Sequence, residues 1–222
     1  MDESADSRGP MESNAEMRAL DAAARGDTTL LGDLLSQHSD RLRRIAQARI
    51  DPRIAARLGP DDVLQEAFLD VARRIGEYLE QRNAQSEERL PFFLWVRLLT
   101  RQVIARLHRE HLGALKRDAG REARSPRQAL GCTTVLIAHQ LASSHTTPTG
   151  ALRRIEQREA VAVALERLSE DDREVLMLRH YEELSNQEIA TLLGVTESGA
   201  SMRHLRALTR LKAITADLEL SQ

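Results

Sequence analysis

The sequence predicts an all-α fold of two small helical domains joined by a linker, the C-terminal one containing a helix-turn-helix. Six of the 222 residues are aromatic, and the apolar residues are mostly Leu, Ala, Ile and Val, which favours helices over sheets. Apolar residues recur at spacings of three and four in two blocks. Between the blocks, Gly, Ser, Thr and Pro favour loops. We expect an acidic disordered tail at 1–13, domains at 14–119 and 151–218, and a linker at 120–150.

The cysteine count and the N-terminus predict a cytoplasmic protein with no membrane partner. Cys132 is the single cysteine, so a disulfide framework is excluded. The chain starts with an acidic, polar segment where a secretory signal would be basic and then apolar. No apolar run approaches the roughly 20 residues of a membrane span.

The net charge of -2 hides a strong internal asymmetry. Residues 1–40 carry nine acids and three bases, whereas residues 97–127 carry nine bases and three acids. Such segregation favours a basic surface that meets a polyanion, while other faces stay acidic. A solvated, arginine-rich helix explains the same pattern about equally well.

Helix start and stop signals divide the first block. Gly26 and Asp27 separate a first helix from one or two helices over 28–50. Pro60, Asp61 and Asp62 open the next, counted here as the third, where the missing N–H of proline is harmless and carboxylates suit the helix dipole. A polar loop is expected over 80–90, after which Pro91 opens a fourth helix. The predicted core stripes are Leu64, Phe68, Val71, Ile75 and Tyr78 on the third helix, and Phe92, Val96, Leu99, Val103 and Leu107 on the fourth. Phe93 and Trp95 lie outside the second stripe, where either a second core face or base stacking could use them, and the core is favoured.

Four helices are predicted in the second block from their caps. Ser169 begins the second of them, and Ser185 with Glu188 forms a capping box for the third. Gly194 ends the third helix, and Thr196 caps the fourth. We expect Leu205, Leu208 and Leu211 on the buried side of the fourth helix. In the linker, residues 134–141 are apolar enough for a short helix or a docked segment, although a loose turn is favoured.

Residues 186–210 have the spacing of a helix-turn-helix: a short capped helix, a tight turn and a longer second helix. In DNA-binding proteins the N-terminal end of such a second helix presents side chains to base edges, and arginines further along contact phosphates. An ordinary helical hairpin with a solvated basic face is the less favoured interpretation. The side chains that would meet DNA are Glu197, Ser198, Ser201, Met202, Arg203, Arg206 and Arg210.

Two further surfaces are candidates for binding. On the helix that starts at Asp61, a stripe of Asp62, Gln65, Glu66 and Leu69 could dock a basic partner helix, although such a stripe is more often simply solvated. The helix after Pro91 carries basic residues that would track a phosphate backbone. These are Arg97, Arg101, Arg106 and Arg109. Two DNA-directed elements on either side of a linker imply a long or two-part DNA site.

No motif nominates a catalytic centre, so the chain is not predicted to be an enzyme or to hold a cofactor. Gly-rich phosphate loops of the GxxxxGK[ST] type, GxSxG elbows and HExxH pairs do not occur. His108 and His111 are three residues apart on one helix, but no third ligand follows, so no metal site is expected.

Three stretches together resemble a bacterial RNA polymerase sigma factor. They are DDVLQEAFLDVARRI (61–75), PFFLWVRLLTRQVIARLHREHL (91–112) and LSEDDREVLMLRHYEELSNQEIATLLGVTESGASMRHLRALTRL (168–211). Two domains without an intervening third are similar to the extracytoplasmic-function (ECF) group. The resemblance extends from about residue 30 to 214, in the order and spacing of the family.

The resemblance implies a function and partners for each surface. The acidic stripe corresponds to the contact with core RNA polymerase, through Asp61, Asp62, Gln65, Glu66 and Leu69. The loop at 80–90 and the basic helix correspond to the part that captures and opens the minus-ten element of promoter DNA, through Arg97, Arg101, Gln102, Arg106 and Arg109. The helix-turn-helix corresponds to the part that reads the minus-35 duplex. An anti-sigma regulator is a candidate further partner.

Two other functions fit parts of the sequence. An autonomous helix-turn-helix transcriptional regulator would use residues 14–119 for sensing or dimerisation and would bind duplex DNA without polymerase. An interaction protein would use the first helical block to bind a regulatory partner and would ignore nucleic acid at moderate salt. Binding to core polymerase separates the sigma factor from both.

Overall fold

The computed structural model describes residues 14–51, 53–84, 89–118 and 151–220. Within these ranges the chain forms eight α-helices and one π-helical turn, without a β-strand. The predicted all-α class is therefore confirmed. None of the helices found there is both long and apolar enough to cross a lipid bilayer. The predicted tail, Cys132 and the apolar segment 134–141 lie outside the described residues.

The first four helices pack together as one unit. They are α1 (Asn14–Ala24), α2 (Thr29–Arg49), α3 (Pro60–Asn83) and α4 (Phe92–Asp118). Gly26 separates α1 from α2 with φ at +87°, a conformation that glycine adopts without strain. At the start of α3, Asp62 accepts a 2.7 Å hydrogen bond from the Gly59 backbone N–H, and Pro60 occupies the first helical position. The predicted break and the predicted helix start are both confirmed.

The core of this unit is built from the predicted stripes and an aromatic cluster. Tyr78 and Phe92 are fully buried, and the Tyr78 ring lies 4.7 Å from that of Trp95. Phe93 and Trp95 are buried, as expected for a second core face. Phe68 is only half-buried and packs at the edge of the core. The whole predicted stripe of α4 is buried: Phe92, Val96, Leu99, Val103 and Leu107.

The predicted loop at 80–90 begins later than expected. Helix α3 continues to Asn83, because Leu79 is buried and Arg82 forms a 2.7 Å ion pair with Asp21 of α1. Glu80, Gln81 and Arg82 are also good helix formers, so local propensity does not oppose the extension. The prediction of a loop at 80–83 was wrong, since it weighed polarity above the tertiary contact.

The C-terminal helices pack around the long final helix. They are α5 (Ala151–Arg167), α6 (Glu170–Leu176), α7 (Asn186–Leu193) and α8 (Glu197–Leu220), and the π-helical turn Met177–Tyr181 follows α6. Helices α5, α6 and α7 each contact α8. Ser169 caps α6 by accepting from the Asp172 N–H at 3.2 Å, which confirms the predicted start.

The buried side of α8 differs from the prediction. Ala200, Ala207 and Leu211 are buried, whereas Leu205 is 56% exposed and Leu208 is half-buried. The prediction for Leu205 was wrong because α8 turns a face of small residues inward, where α7 approaches closely at Ala200 and α5 and α6 pack further along. Alanine carries a weaker hydrophobic signal than leucine in a sequence, although it suits a close helix crossing better.

The two helical units contact each other. Leu178, Leu184 and Ile189 of the C-terminal unit belong to the same buried cluster as the core of α1–α4. In return, Ala48 of α2 packs into the second cluster, with Leu165 and Met177. The domain limits given above stay a prediction, but the described helices of the two units share apolar surface.

Candidate nucleic-acid interface

Local hydrogen bonds define the helix-turn-helix of α7 and α8. Ser185 accepts from the Glu188 N–H at 3.1 Å, and the Glu188 carboxylate accepts from the Ser185 N–H at 2.7 Å. Gly194 ends α7 with φ +62° and ψ +38°, in the left-handed region. Thr196 then caps α8 by accepting from the Gly199 N–H at 3.0 Å. The predicted capping box, turn glycine and second cap are all confirmed.

A close seam holds α7 against α8. Ile189, Ala190 and Ala200 are buried between or beneath the two helices, and the small side chains permit the close approach. The Asn186 amide donates a 2.8 Å hydrogen bond to the Ser201 hydroxyl, which ties the start of α7 to α8. Ser201 is therefore half-buried and engaged within the motif, while its neighbours on α8 face outward.

The outer side of α8 presents polar, apolar and basic side chains to solvent. Glu197, Ser198 and Met202 are exposed at its N-terminal end, and Met202 is 44% exposed. Further along are three exposed arginines, Arg203, Arg206 and Arg210. The predicted DNA-facing residues of α8 are therefore exposed, except Ser201, which is half-buried.

A cleft of about 330 Å³ separates these arginines from the start of α6. Arg203, Arg206 and Arg210 line one wall, and Asp171, Asp172 and Glu174 line the other. Arg210 already forms an ion pair with Asp172 at 2.5 Å. Phosphate contact through Arg210 therefore competes with an internal carboxylate, whereas no ion pair of Arg203 or Arg206 is seen within the described residues.

A histidine pair joins α8 to the π-helical turn. The Nε2 atoms of His180 and His204 lie 2.9 Å apart, so one ring donates and the other accepts in its neutral form. Burial, and then the nearby Arg179, lower the pKa of His204. Within the described residues no group of three or more metal-ligating side chains is found.

The acidic stripe on α3 is exposed but partly engaged. Asp62 caps its own helix, Asp61 pairs with Arg43 at 2.9 Å, and Glu66 pairs with Arg106 at 2.9 Å. Gln65 is exposed, and Leu69 is 44% exposed, although it is apolar. The five residues predicted to contact polymerase thus share one accessible face, on which Gln65 and Leu69 are exposed and take no part in an ion pair or helix cap.

The basic residues of α4 have three different environments. Arg106 and Gln102 are held by side chains of α3, since Arg106 pairs with Glu66 and Gln102 accepts from Arg74 at 3.1 Å. Arg109 is exposed, and His108 beside it accepts a 3.1 Å hydrogen bond from the Asp51 backbone N–H. Arg97, which the sequence places off the core stripe and predicts to contact DNA, is 3% exposed.

Arg97 is buried because it meets carboxylates of the C-terminal unit. Its Nε lies 2.5 Å from Glu182, a fully buried carboxylate that also pairs with Arg49 at 2.9 Å. Around this pair, five arginines of α2 and α4 face four glutamates that follow in the second unit. We call them the arginine face (Arg41, Arg44, Arg49, Arg97 and Arg101) and the glutamate cluster (Glu174, Glu182, Glu183 and Glu188).

Sequence reasoning missed most of this contact. It identified Arg97 and Arg101, but not the three arginines of α2 or the partner glutamates. Three arginines of α2 recur at positions 41, 44 and 49, a spacing that places them near one helix face. This spacing could have predicted the arginine face from the sequence. The glutamates carry no comparable signal, because they come from a helix, a turn and a capping box.

Burial and charge in this contact lower the pKa values of Glu182 and Arg101. Burial raises the pKa of Glu182, but Arg97 and Arg49 outweigh it, so the pKa of that carboxyl falls below its usual value. Burial, followed by the cations Arg49 and Arg97, lowers the pKa of Arg101. Glu182 is therefore ionised at neutral pH, and the arginine face holds more positive charge than the glutamate cluster neutralises.

Comparison with known proteins identifies the second unit and relates the whole chain to a family. Residues 158–211 match the family described as Sigma-70, region 4. The chain is 28% identical over 188 residues to the probable RNA polymerase sigma factor RfaY of Xanthomonas campestris, covering 85% of this chain and 41% of that protein. It is 25% identical over 203 residues to the ECF RNA polymerase sigma factor BldN of Streptomyces coelicolor, covering 90% of this chain and 66% of that protein.

A shorter match reaches 40% identity over 74 residues, to the RNA polymerase sigma factor FliA of Pseudomonas aeruginosa, covering 33% of this chain and 30% of that protein. The chain thus spans less than two thirds of the length of each of these relatives. The region 4 match coincides with the helices that build the helix-turn-helix, and the two longer matches extend over most of the chain. The chain is thus similar to RNA polymerase sigma factors, one of them of the ECF type, and its residues 158–211 match sigma-70 region 4.

Proposed function

We propose that this chain binds core RNA polymerase and directs promoter-specific initiation of transcription through sequence-specific DNA binding. The observation that carries the proposal is the open outer side of α8, with Arg203 and Arg206 exposed on a domain that matches sigma region 4. The chain supplies recognition and stabilises the opened strand, while the bond-forming chemistry belongs to the polymerase. Its place of action is the cytoplasm, with the polymerase.

The helix-turn-helix is tested by removing its free cations. Arg203→Ala with Arg206→Ala should weaken binding to a promoter duplex, obtained by selecting genomic fragments with the reconstituted holoenzyme. The slope of log K against log salt should fall by about 1.8, since each phosphate contact contributes about 0.9. The matched control is Arg57→Ala with Arg167→Ala, which removes two exposed cations elsewhere. An unchanged slope in the first variant would refute the assignment of α8.

The polymerase contact is tested at the centre of the acidic stripe. Asp61, Asp62 and Glu66 hold internal contacts, so substituting them would also disturb α3 or its neighbours. Gln65→Lys with Leu69→Lys changes only exposed positions and adds two positive charges. We expect this variant to lose co-elution with core RNA polymerase on a sizing column.

The control for this experiment is Glu80→Lys, which also changes the charge by two units, on the same helix but about four turns beyond Gln65. The wild type and this control should co-elute with polymerase. If the wild type fails to associate with polymerase yet binds duplex DNA alone, the chain is an autonomous regulator and the proposal is wrong. If the double variant still co-elutes, the stripe is not the contact.

For the minus-ten element, we propose Arg101, Gln102, Arg106 and Arg109, together with Arg97 once it is uncovered. Gln102 and Arg109 are exposed, and Arg101 is nearly half exposed at its side chain. They follow one another along α4, as contacts to a single extended strand require. An anti-sigma regulator as a further partner stays a prediction from the family.

A further inference from the structure

We propose that the arginine face is a binding surface for the DNA backbone, and that in the free chain the glutamate cluster occupies it in place of DNA phosphates. Promoter DNA and the second helical unit then compete for the same five arginines. This inference rests on the proposed function and adds to it α2 as a DNA-binding element and a closed state that restrains the first unit.

The geometry of the contact is that of a phosphate site filled by carboxylates. Glu182 receives Arg97 at 2.5 Å and Arg49 at 2.9 Å, so one carboxylate lies between two guanidinium groups from different helices. Glu174 receives Arg49 at 3.0 Å, with Arg101 at 3.8 Å. Arginines that converge from two helices on single anions are the arrangement used to bind phosphate and carboxylate groups.

The outer part of the contact repeats this pattern. Arg44 pairs with Glu183 at 2.5 Å, and Arg41 pairs with Glu188 at 3.3 Å and donates to the Glu183 carbonyl at 3.3 Å. The four carboxylates thus follow the arginine face from α4 along α2. The phosphates of a nucleic-acid backbone would lie along the same row of arginines, in the positions that the carboxylates occupy.

The glutamates satisfy the arginine face incompletely. Six buried side-chain nitrogen atoms of the described residues have no hydrogen-bond partner, and four of the six belong to this face. The face also carries five cations against four carboxylates. The donor atoms left over on the face are Arg41 Nε, Arg44 Nε, Arg49 Nε and Arg97 Nη2.

The backbone that carries the central glutamates is strained. Glu183 has φ +55°, the single positive value at a non-glycine residue among the described parts of the chain. A buried ion pair is weak support for stability, because the desolvation of both charges offsets their attraction. Because of this strain and desolvation, the phosphates of DNA can displace the glutamate cluster from the arginine face.

The closed arrangement restrains the two DNA-directed surfaces unequally. Arg203 and Arg206 on α8 remain exposed, so duplex DNA can reach the helix-turn-helix in the closed chain. Arg97 is 3% exposed and cannot reach a phosphate until Glu182 moves away. We therefore expect duplex binding by the second unit to be independent of closure, and binding through the first unit to require opening.

The test measures binding of the full chain to a fluorescent 20-nucleotide single strand of mixed sequence, by anisotropy. Glu183→Lys places a cation against Arg44 and Arg41 and should open the contact. We expect about a tenfold lower Kd, which corresponds to a wild-type chain that is open about one tenth of the time. The salt slope should steepen by about 0.7 for each arginine that gains a phosphate on a single strand.

Two further variants separate opening from added charge. Glu166→Lys makes the same charge change at an exposed position outside the contact and should leave the Kd near that of the wild type. Arg44→Glu combined with Glu183→Arg restores an ion pair in the opposite sense and should return the Kd toward the wild-type value. If Glu166→Lys tightens binding as much as Glu183→Lys, or the exchange does not reverse the gain, the inference is wrong.

A direct measurement of shape completes the test. Small-angle scattering should give a larger radius of gyration for Glu183→Lys than for the wild type and the exchanged pair. An opened chain that gains no affinity for the single strand would overturn the inference. Loss of polymerase co-elution by the wild type would instead overturn the proposed function, so the two failures are distinguishable.

Discussion

Two glycine-to-alanine substitutions should change stability in opposite directions. Gly194 ends α7 with φ +62°, whereas Gly76 lies within α3, and a Cβ at either position would have no atom within 4 Å. Steric overlap is therefore absent in both cases, and only the backbone conformation distinguishes them. The pair isolates the cost of the left-handed turn in the helix-turn-helix.

The expected magnitudes follow from the conformations. At Gly194, an alanine in the left-handed region costs roughly 1–2 kcal/mol, offset by about 0.4–1 kcal/mol from the less flexible unfolded chain, so a net loss of about 1 kcal/mol is expected. At Gly76, alanine in a helix interior should gain about 0.5–1 kcal/mol. For a chain of this size, 1 kcal/mol corresponds to about 2–4 °C in Tm.

The assay is thermal and urea unfolding of both variants beside the wild type, followed by circular dichroism. The two variants should differ by about 2 kcal/mol, with the wild type between them. A Gly194→Ala variant as stable as the wild type would refute the left-handed termination of α7. A destabilised Gly76→Ala would show that α3 is not a regular helix at that residue.

Three other expectations concern stability. Ser185→Ala removes the hydroxyl that accepts from the Glu188 N–H and should cost about 1 kcal/mol in urea unfolding, whereas Ser185→Asp should retain most of the cap. Tyr78→Ala empties a fully buried aromatic site and should cost about 3–5 kcal/mol, a loss that would be contradicted by an unchanged urea midpoint. Burial is the main cause that lowers the pKa values of His38, His108 and His204. As the pH falls, the unfolded chain therefore binds protons before the folded chain does. The free energy of unfolding should be constant above about pH 7 and decrease as the pH falls below about 6.5. A free energy of unfolding that increases as the pH falls below about 6.5 would contradict the directions of these shifts.

The sequence predicted best the features that depend only on residues close to each other in the chain. The caps at Ser169, Ser185 and Thr196 and the turn at Gly194 each depend on hydrogen bonds between near neighbours. Such bonds form whenever the local sequence permits, largely independent of what packs on the helix. The helix-turn-helix and the exposed end of α8 followed from them.

Features that depend on a distant partner were predicted less well. Leu205 was assigned to the core, but the inward face of α8 is set by the helices packed against it. The end of α3 was placed too early, because its last turn is supported by an ion pair between Arg82 and Asp21, 61 residues apart. Periodicity indicates that a helix has an apolar face, but not how far its neighbours extend along it.

By itself, the sequence determined the all-α class, the caps, the helix-turn-helix and the resemblance to sigma factors, since these depend on local chemistry and on residue order. Only the tertiary structure decided that Arg97, predicted to contact DNA, is buried against Glu182, 85 residues away. Charge pairing over such a distance depends on how two helical units dock. Docking depends on many weak contacts between the two units, and the residue spacing within either unit does not predict it.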